Sequence, residues 1–232
     1  MAVGPAMWRA GARISAPRVR TLWCADGASP ARLALGGGAG ARRGRAVGAV
    51  AFVADGAAVA TFELPSDAFA ARVDGDAAVV GCRDGVVRRV DSRGGPPSTL
   101  LDRLDGGVDA LEPFEPGRYV AASKRGDVAL FDERIPGRRV LSLARPPGAG
   151  RAAGGVAVSA ALRACAAAAA GGVCRAWSLD DGAVLAAAAR PGGGPCVALG
   201  CAAAGDVLPA FAFLDRADGA FLQLTARAED VS

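Results

Sequence analysis

The sequence predicts an all-β chain organised as a β-propeller, partial and of about four to five blades on a period of about 40 residues. Three observations predict it. A segment of alternating hydrophobicity recurs three times, a glycine sits at a fixed offset inside each copy, and four short strand signals fall in each period.

The first copy is VVGCRDGVVRRVDSR, Val79 to Arg93; the second is YVAASKRGDVALFDER, Tyr119 to Arg134; the third is AAAAAGGVCRAWSLD, Ala166 to Asp180. Each has a run of small residues, a glycine turn, and a terminal feature five residues after the glycine: Gly85/Val90, Gly126/Phe131 and Gly172/Trp177. Gly85 to Gly126, Asp91 to Asp132 and Arg93 to Arg134 are each 41 residues apart, and Phe131 to Trp177 is 46. The physical reading is strand, tight turn, strand. Val128, Leu130 and Asp132 alternate with Ala129 and Phe131, which is the period of a pleat.

Taken in order, residues 1–45 read as an N-terminal extension with a Gly/Arg-rich linker, a composition compatible with disorder. Residues 46–225 carry the propeller repeats, and 226–232 form a tail. VGAVAFVADGAAVATFEL, Val47 to Leu64, predicts two strands around Asp55-Gly56. Phe69–Val73, Gly107–Leu111 and Gly155–Val158 predict strands that open successive units. Pro136-Gly137 leads into Val140–Leu143, and Asp181-Gly182 predicts a two-residue hairpin into Ala183–Leu185. CVALG, LPAFAFL and AFLQL predict a further partial unit near the C-terminus.

Two segments oppose local propensity to repeat register. Cys165–Ala170 is alanine-rich and by propensity helical, but register makes it a strand paired with Val173–Trp177, and Gly171-Gly172 stops a helix before two turns. GGGAGA, Gly36 to Ala41, formally matches the dinucleotide fingerprint. No credible strand precedes it and an Arg-rich loop follows, so Gly36–Arg45 reads as linker, as does Pro191–Gly194.

Composition excludes more than it assigns. Histidine is absent, which removes Ser/Cys-His catalysis and every imidazole-built zinc site. The six cysteines (24, 82, 165, 174, 196 and 201) form no C-x-x-C and read as buried free thiols of a reducing compartment. Of 27 basic residues only Lys124 is lysine, asparagine is absent, and isoleucine occurs only at Ile14 and Ile135. That joint shortage points to nucleotide bias in the coding genome, so the arginine and alanine excess carries no functional weight. The net charge of +4 is dispersed, without the basic face interleaved with aromatics that nucleic acid requires. No apolar stretch is long enough to span a bilayer. Arg9, Arg13, Arg18 and Arg20 precede the first acid, Asp26, a pattern shared with organelle transit peptides and with ragged N-termini of longer proteins.

At the second copy the chain resembles a known family. Phe131, Asp132 and Arg134 fill the places of Trp-Asp-x-Arg in the DWD box of WD40 repeats, with Phe for Trp; Val90, Asp91 and Arg93 fill them in the first copy. The resemblance covers about Ala71 to Leu214 and is specific over the three copies. It implies a WD40-like propeller and a substrate receptor of a cullin-4 RING ubiquitin ligase, docking on the ligase's adaptor and bringing it substrates. It implies no enzyme activity of the chain's own, no cofactor, and a nuclear or cytoplasmic address. The partner-binding residues so implied are Asp91, Arg93, Phe131, Asp132 and Arg134. The chain departs from the family in lacking the Gly-His dipeptide, and the third copy has Asp180 where Arg would stand.

The chemistry of the box is simple. An aspartate at a strand end accepts from a turn N–H or a neighbouring Arg, and an Arg two residues on presents a planar guanidinium to a partner. The competing reading is an ion pair closed within the blade. Arg88, Arg89, Arg138 and Arg139 read as solvated, and Phe131 and Trp177 as packing aromatics. The alternative function is a general WD40 protein–protein scaffold in another complex. An enzyme would need a convergent set of titratable groups in a pocket.

Overall fold

Nineteen strands and no helix make up the described residues. The structure, a computed structural model, describes residues 21–29, 32–42, 45–55, 57–144, 152–169, 172–189, 196–202, 210–215 and 221–225. The chain divides into two units, Met1–Arg103 and Leu104–Ser232.

In the first unit, β1 (Thr21–Ser29), β2 (Arg32–Arg42), β3 (Arg45–Ala54) and β4 (Ala57–Leu64) form one antiparallel sheet in chain order. A second contains β5 (Ala68–Asp74), β6 (Ala77–Cys82), β7 (Val87–Asp91) and β8 (Ser98–Leu101). In the second unit, β9 (Val108–Glu115), β10 (Arg118–Ser123), β11 (Val128–Asp132) and β12 (Arg139–Leu143) form the third sheet. The fourth has β13 (Ala152–Ser159), β14 (Ala164–Ala169), β15 (Val173–Ser178) and β16 (Val184–Ala189). The last has β17 (Cys196–Ala202), β18 (Ala210–Asp215) and β19 (Phe221–Thr225). The all-β expectation is met, as four 4-stranded antiparallel meanders and one of three strands among the described residues.

Sheets meet through their first strands. β1 lies against β5 in the first unit; β9 lies against β13, and β13 against β17, in the second. This is the sheet-to-sheet relation of a propeller, in which each blade starts near its neighbour's start.

The repeat seen in sequence is a repeat of backbone hydrogen bonds. In the β6–β7 hairpin Gly85 N–H donates to Cys82 O (3.1 Å), and in β10–β11 Gly126 N–H donates to Ser123 O (2.9 Å). Both glycines have φ near +85°, at 84° and 87°, the left-handed position of a type I turn with a bulge. At the opposite end Ser92, Glu133 and Leu179 each donate N–H to the preceding turn, at Asp76 O (2.8 Å), Gly117 O (2.9 Å) and Arg163 O (2.7 Å). The residues five after the glycine, Val90, Phe131 and Trp177, are 1%, 0% and 0% exposed.

The fourth strand of every four-stranded sheet carries a one-residue bulge. Val59, Leu100, Val140 and Leu185 are the residues skipped in the pairing. Nothing in the local sequence marks these positions.

The alanine run behaves as register requires. Ala164 to Ala168 pair with Ser178 to Cys174, and Ala164, Cys165, Ala166 and Ala168 are nearly or wholly buried. Helix propensity loses because a six-residue strand flanked by two partners satisfies every backbone group, and small side chains fit between packed faces. Ala170 lies outside the described residues.

Two expectations are corrected. Gly36–Arg45 is not a linker: Gly36 to Arg42 belong to β2, paired with both β1 and β3. The glycines are there for close approach. A Cβ on Gly36 would lie 2.5 Å from Cys24 Sγ, and one on Gly48 would lie 1.9 Å from Ser66 O. Asp181-Gly182 is not a two-residue turn. The strands end at Ser178 and resume at Val184, Ser178 N–H donates to Ala183 O (2.9 Å), and only Gly182 of the pair has positive φ, at 78°. By contrast Asp55, of the Asp55-Gly56 turn, does adopt φ 49°. Residues 1–20, the four early arginines among them, the tail 226–232 and the Pro191–Gly194 loop lie outside the described residues.

Among the described residues no helix is long and apolar enough to cross a membrane. Cys24, Cys82, Cys165 and Cys174 are free thiols, all but Cys24 buried. Burial pushes the thiols of Cys24 and Cys82 up to about 12 and about 11.

Candidate partner-binding boxes

Both Asp-x-Arg boxes form, at the same place in their sheets: the C-terminal end of the third strand, entering the turn to the fourth. Asp91 is the last residue of β7 and Asp132 the last of β11. Asp91 accepts the backbone N–H of Arg93 at Oδ1 (2.9 Å), and Arg93 returns to grip the same carboxylate, Nε to Oδ1 at 3.0 Å and Nη2 to Oδ2 at 2.7 Å. In the second box Arg134 N–H donates to Asp132 Oδ1 at 3.0 Å, Nε at 2.8 Å and Nη2 to Oδ2 at 2.5 Å. Each box is thus a clasp: a carboxylate tightens the turn and the Arg two residues on closes over it, two-pronged.

The clasps leave the guanidinium facing solvent. The side chains of Arg93 and Arg134 are 75% and 71% exposed, against 34% for Asp91 and 9% for Asp132. Hydrogen bonds from Arg134 hold the Asp132 carboxyl down to about 2, and those from Arg93 hold Asp91 well below the usual carboxylate range.

The expected site is therefore divided. Arg93 and Arg134, and in part Asp91, are presented outward. Phe131, named with them as partner-binding, is 0% exposed and stacks on Tyr119 at 5.5 Å, so it supports the box from beneath and is corrected to a packing residue. Asp132 is 6% exposed and acts through Arg134. Trp177 is likewise buried, its indole N–H donating to Ala144 O at 3.1 Å. Arg88, expected in solvent, is instead 9% exposed and clamps Asp84 at 3.0 and 2.7 Å.

The two boxes differ in what stands across the hairpin. Ala77 pairs with Asp91, whereas Arg118 pairs with Asp132 and brings Nε to 3.6 Å from its Oδ2. Arg118 also donates to Glu115 (2.9 Å), which accepts from Arg163 (2.7 Å), and Arg163 donates to Asp180 (2.7 Å). Phe114 lies beneath both arginines, 5.3 Å from the Arg163 guanidinium carbon and 5.9 Å from that of Arg118. A ladder of alternating charge thus runs from Arg134 to Asp180, joining the third sheet to the fourth. Asp180, which stands where the family has Arg, ends that ladder. Sequence reading missed Arg118, Glu115 and Arg163. Arg118 was findable, since it mirrors Asp132 about the Gly126 turn. Arg163 was not, because it adopts φ 50°, a conformation uncommon for a residue with a side chain.

Ser92, inside the first box, lines an open cleft of about 200 Å³ together with Phe52, Val59, Val73 and Asp76. Val59, the bulge residue of β4, is 65% exposed there. Among the described residues no group of three or more Cys, Asp or Glu is placed to hold a metal ion.

No protein-family model matches the chain, and no curated protein sequence does. Solved structures resemble it in fold. The computationally designed Ika8 protein is 18% identical with a TM-score of 0.62, over 85% of this chain and 56% of that one. The computationally designed Ika4 protein is also 18% identical, with a TM-score of 0.52 over 70% of this chain and 92% of that one. The chain thus spans just over half the length of the first and nearly all of the second, and at this identity the likeness is one of fold.

Proposed function

We propose that the chain is a WD40-like propeller scaffold whose five sheets act as blades and whose Asp-x-Arg boxes dock a protein partner. We propose further that this partner is the adaptor of a cullin-4 RING ubiquitin ligase, to which the chain presents substrates without bond chemistry of its own. The observation that carries the reading is the pair of equivalently built clasps, each holding an arginine more than two-thirds exposed in a set orientation. A guanidinium fixed at its inner edge keeps its outer N–H groups aimed at solvent, which lowers the ordering cost of docking. The cleft beside Ser92 gives an apolar partner side chain a seat next to the first box. The DWD-box resemblance supplies the identity of the adaptor, and such an adaptor places the work in the nucleus or cytoplasm.

The second reading is a general WD40 scaffold in another complex. It is favoured by the clasps being closed on their own aspartates, which a purely structural box would also do.

The test is capture of the purified adaptor by the full chain and by the Arg93→Ala/Arg134→Ala variant, with a melting curve for each. The proposal expects capture by the wild type, weakened on the order of tenfold or more in the variant. It expects nearly unchanged melting, because exposed ion pairs contribute little to stability. Equal capture by both proteins removes docking from these boxes. No capture by either leaves the general scaffold.

A further inference from the structure

The second and third sheets each present one clasped arginine where the third strand ends, Arg93 and Arg134. The fourth sheet has Asp180 at that position and Ser178 in place of the gripping aspartate, so its own turn presents none. An arginine nevertheless stands there, supplied by the turn between β13 and β14. Arg163 Nε donates to Asp180 Oδ1 and Nη1 to Glu115 Oε1, both at 2.7 Å, with the guanidinium carbon 5.3 Å from the Phe114 ring centroid. Its side chain is 46% exposed.

Two features set Arg163 apart from a residue that only staples one sheet to the next. The first is its backbone. Glu133 N–H donates to Gly117 O and Leu179 N–H donates to Arg163 O, so the two turns correspond. Gly117 has φ 75° and Arg163 φ 50°. That conformation disfavours a side chain, and a glycine would hold the turn more easily. What the position retains is therefore the guanidinium. The second is that the guanidinium is not used up. Among the described residues Nη2 of Arg163 has no hydrogen-bond partner, and neither has Nη1 of Arg134. Carboxylates hold each arginine by two of its nitrogens and leave the third nitrogen's donors uncommitted.

We propose that Arg163 is the docking arginine of the fourth sheet, donating through Nη2 to a main-chain carbonyl of the protein that Arg134 also contacts.

This rests on the reading that the boxes dock a protein partner, and it names a further residue and the acceptor that residue takes. Glu115 and Asp180 already balance the charge of Arg163, so a third carboxylate would be repelled, whereas a neutral carbonyl is not. The two carboxylates and the Phe114 ring fix the guanidinium before docking, which lowers the ordering cost of binding. Asp132, Arg118 and Glu115 link Arg134 to Arg163 from one sheet to the next, so a single partner surface can meet both.

The test is capture of the purified cullin-4 adaptor by the full chain as wild type, Arg163→Gly and Arg163→Gly/Ser178→Asp/Asp180→Arg, with urea unfolding of each. Glycine suits φ 50° and Arg163 is exposed, so the variant folds, which circular dichroism checks. Arg163→Lys, which keeps a cation over Phe114, takes its place if it does not. The expected result is capture weakened on the order of tenfold by Arg163→Gly. The triple variant should largely restore it, because it builds in the fourth sheet the clasp that Asp132 and Arg134 make in the third. A mere staple between sheets would lower the unfolding midpoint alone. Capture by Arg163→Gly equal to the wild type overturns the inference, and leaves the boxes in place if Arg93→Ala/Arg134→Ala still weakens capture. A folded triple variant that captures no better than Arg163→Gly overturns it as well. No capture by the wild type removes the adaptor reading and this inference together.

Discussion

Asp132 and Ser178 hold the same place in successive sheets and do the same work with different atoms. Asp132 Oδ1 accepts the backbone N–H of Arg134 at 3.0 Å, and Ser178 Oγ accepts the backbone N–H of Asp180 at 3.2 Å. Both end a third strand and start a turn by a local side-chain-to-backbone bond. The carboxylate does one thing more, in gripping a guanidinium, and a hydroxyl cannot. The box in the fourth sheet has therefore kept its turn and lost its clasp.

From this follows an order of costs within the second box. Arg134→Ala removes an exposed partner and moves the melting temperature little. Asp132→Ala removes the acceptor of the turn N–H and of the Arg134 guanidinium, and leaves Arg118 without its cross-strand carboxylate. The expected cost is about 1–2 kcal/mol in urea unfolding, larger than for Arg134→Ala. The acid limb has the same cause. The folded Asp132 carboxyl is lowered to about 2, so its contribution is present above the unfolded value near 4 and is lost as pH falls toward 2. Asp132→Asn should flatten stability over that window, and equal costs for both alanine variants would contradict the order.

Asp109 is the reverse case. It lies on β9 with Oδ1 buried and without a hydrogen-bond partner, and burial raises its carboxyl to about 6 despite the charge of Lys124. A raised carboxyl favours the folded state most below the unfolded value near 4, and that advantage is lost as pH rises through about 6. Asp109→Asn should therefore stabilise the chain at pH 7 by at most about 3 kcal/mol, with the gain vanishing near pH 4. Urea titrations at the two pH values check it. A variant no more stable at pH 7 than the wild type would show that the carboxylate is solvated after all.

Two glycines separate close approach from backbone conformation. Gly48→Ala drives a Cβ into the Ser66 carbonyl, a backbone group that cannot swing away, and should cost about 3 kcal/mol or more. Gly75→Ala meets nothing within 4 Å but must hold φ +60°, and should cost about 1 kcal/mol. Urea midpoints that reversed this order would place the strain elsewhere.

Phe131 takes the place of the family's Trp, and the site is already full. It is wholly buried and stacked on Tyr119. Phe131→Trp should destabilise by about 1–3 kcal/mol through overpacking, even though it restores the motif. A raised melting temperature would mean a void beneath the box.

The repeats, the glycine turns, the strands and the large apolar residue five places after each turn, Val90, Phe131 or Trp177, were legible in the sequence, because pleat alternation and turn chemistry are local. So was the Asp-x-Arg pairing, which needs only two residues on one turn. What the tertiary structure decided are the matters that depend on a neighbour. Gly36 to Ala41 is strand because Cys24 and Ala68 crowd it, whereas alone it reads as linker. Arg88 is buried because Asp84 is folded back to meet it. Whether a bulge residue is hidden, as Leu100 is at 4%, or thrust out, as Val59 is at 65%, depends on what packs against that edge. The charge ladder through Arg118, Glu115 and Arg163 joins residues as many as 48 apart, a distance over which no local pattern carries information.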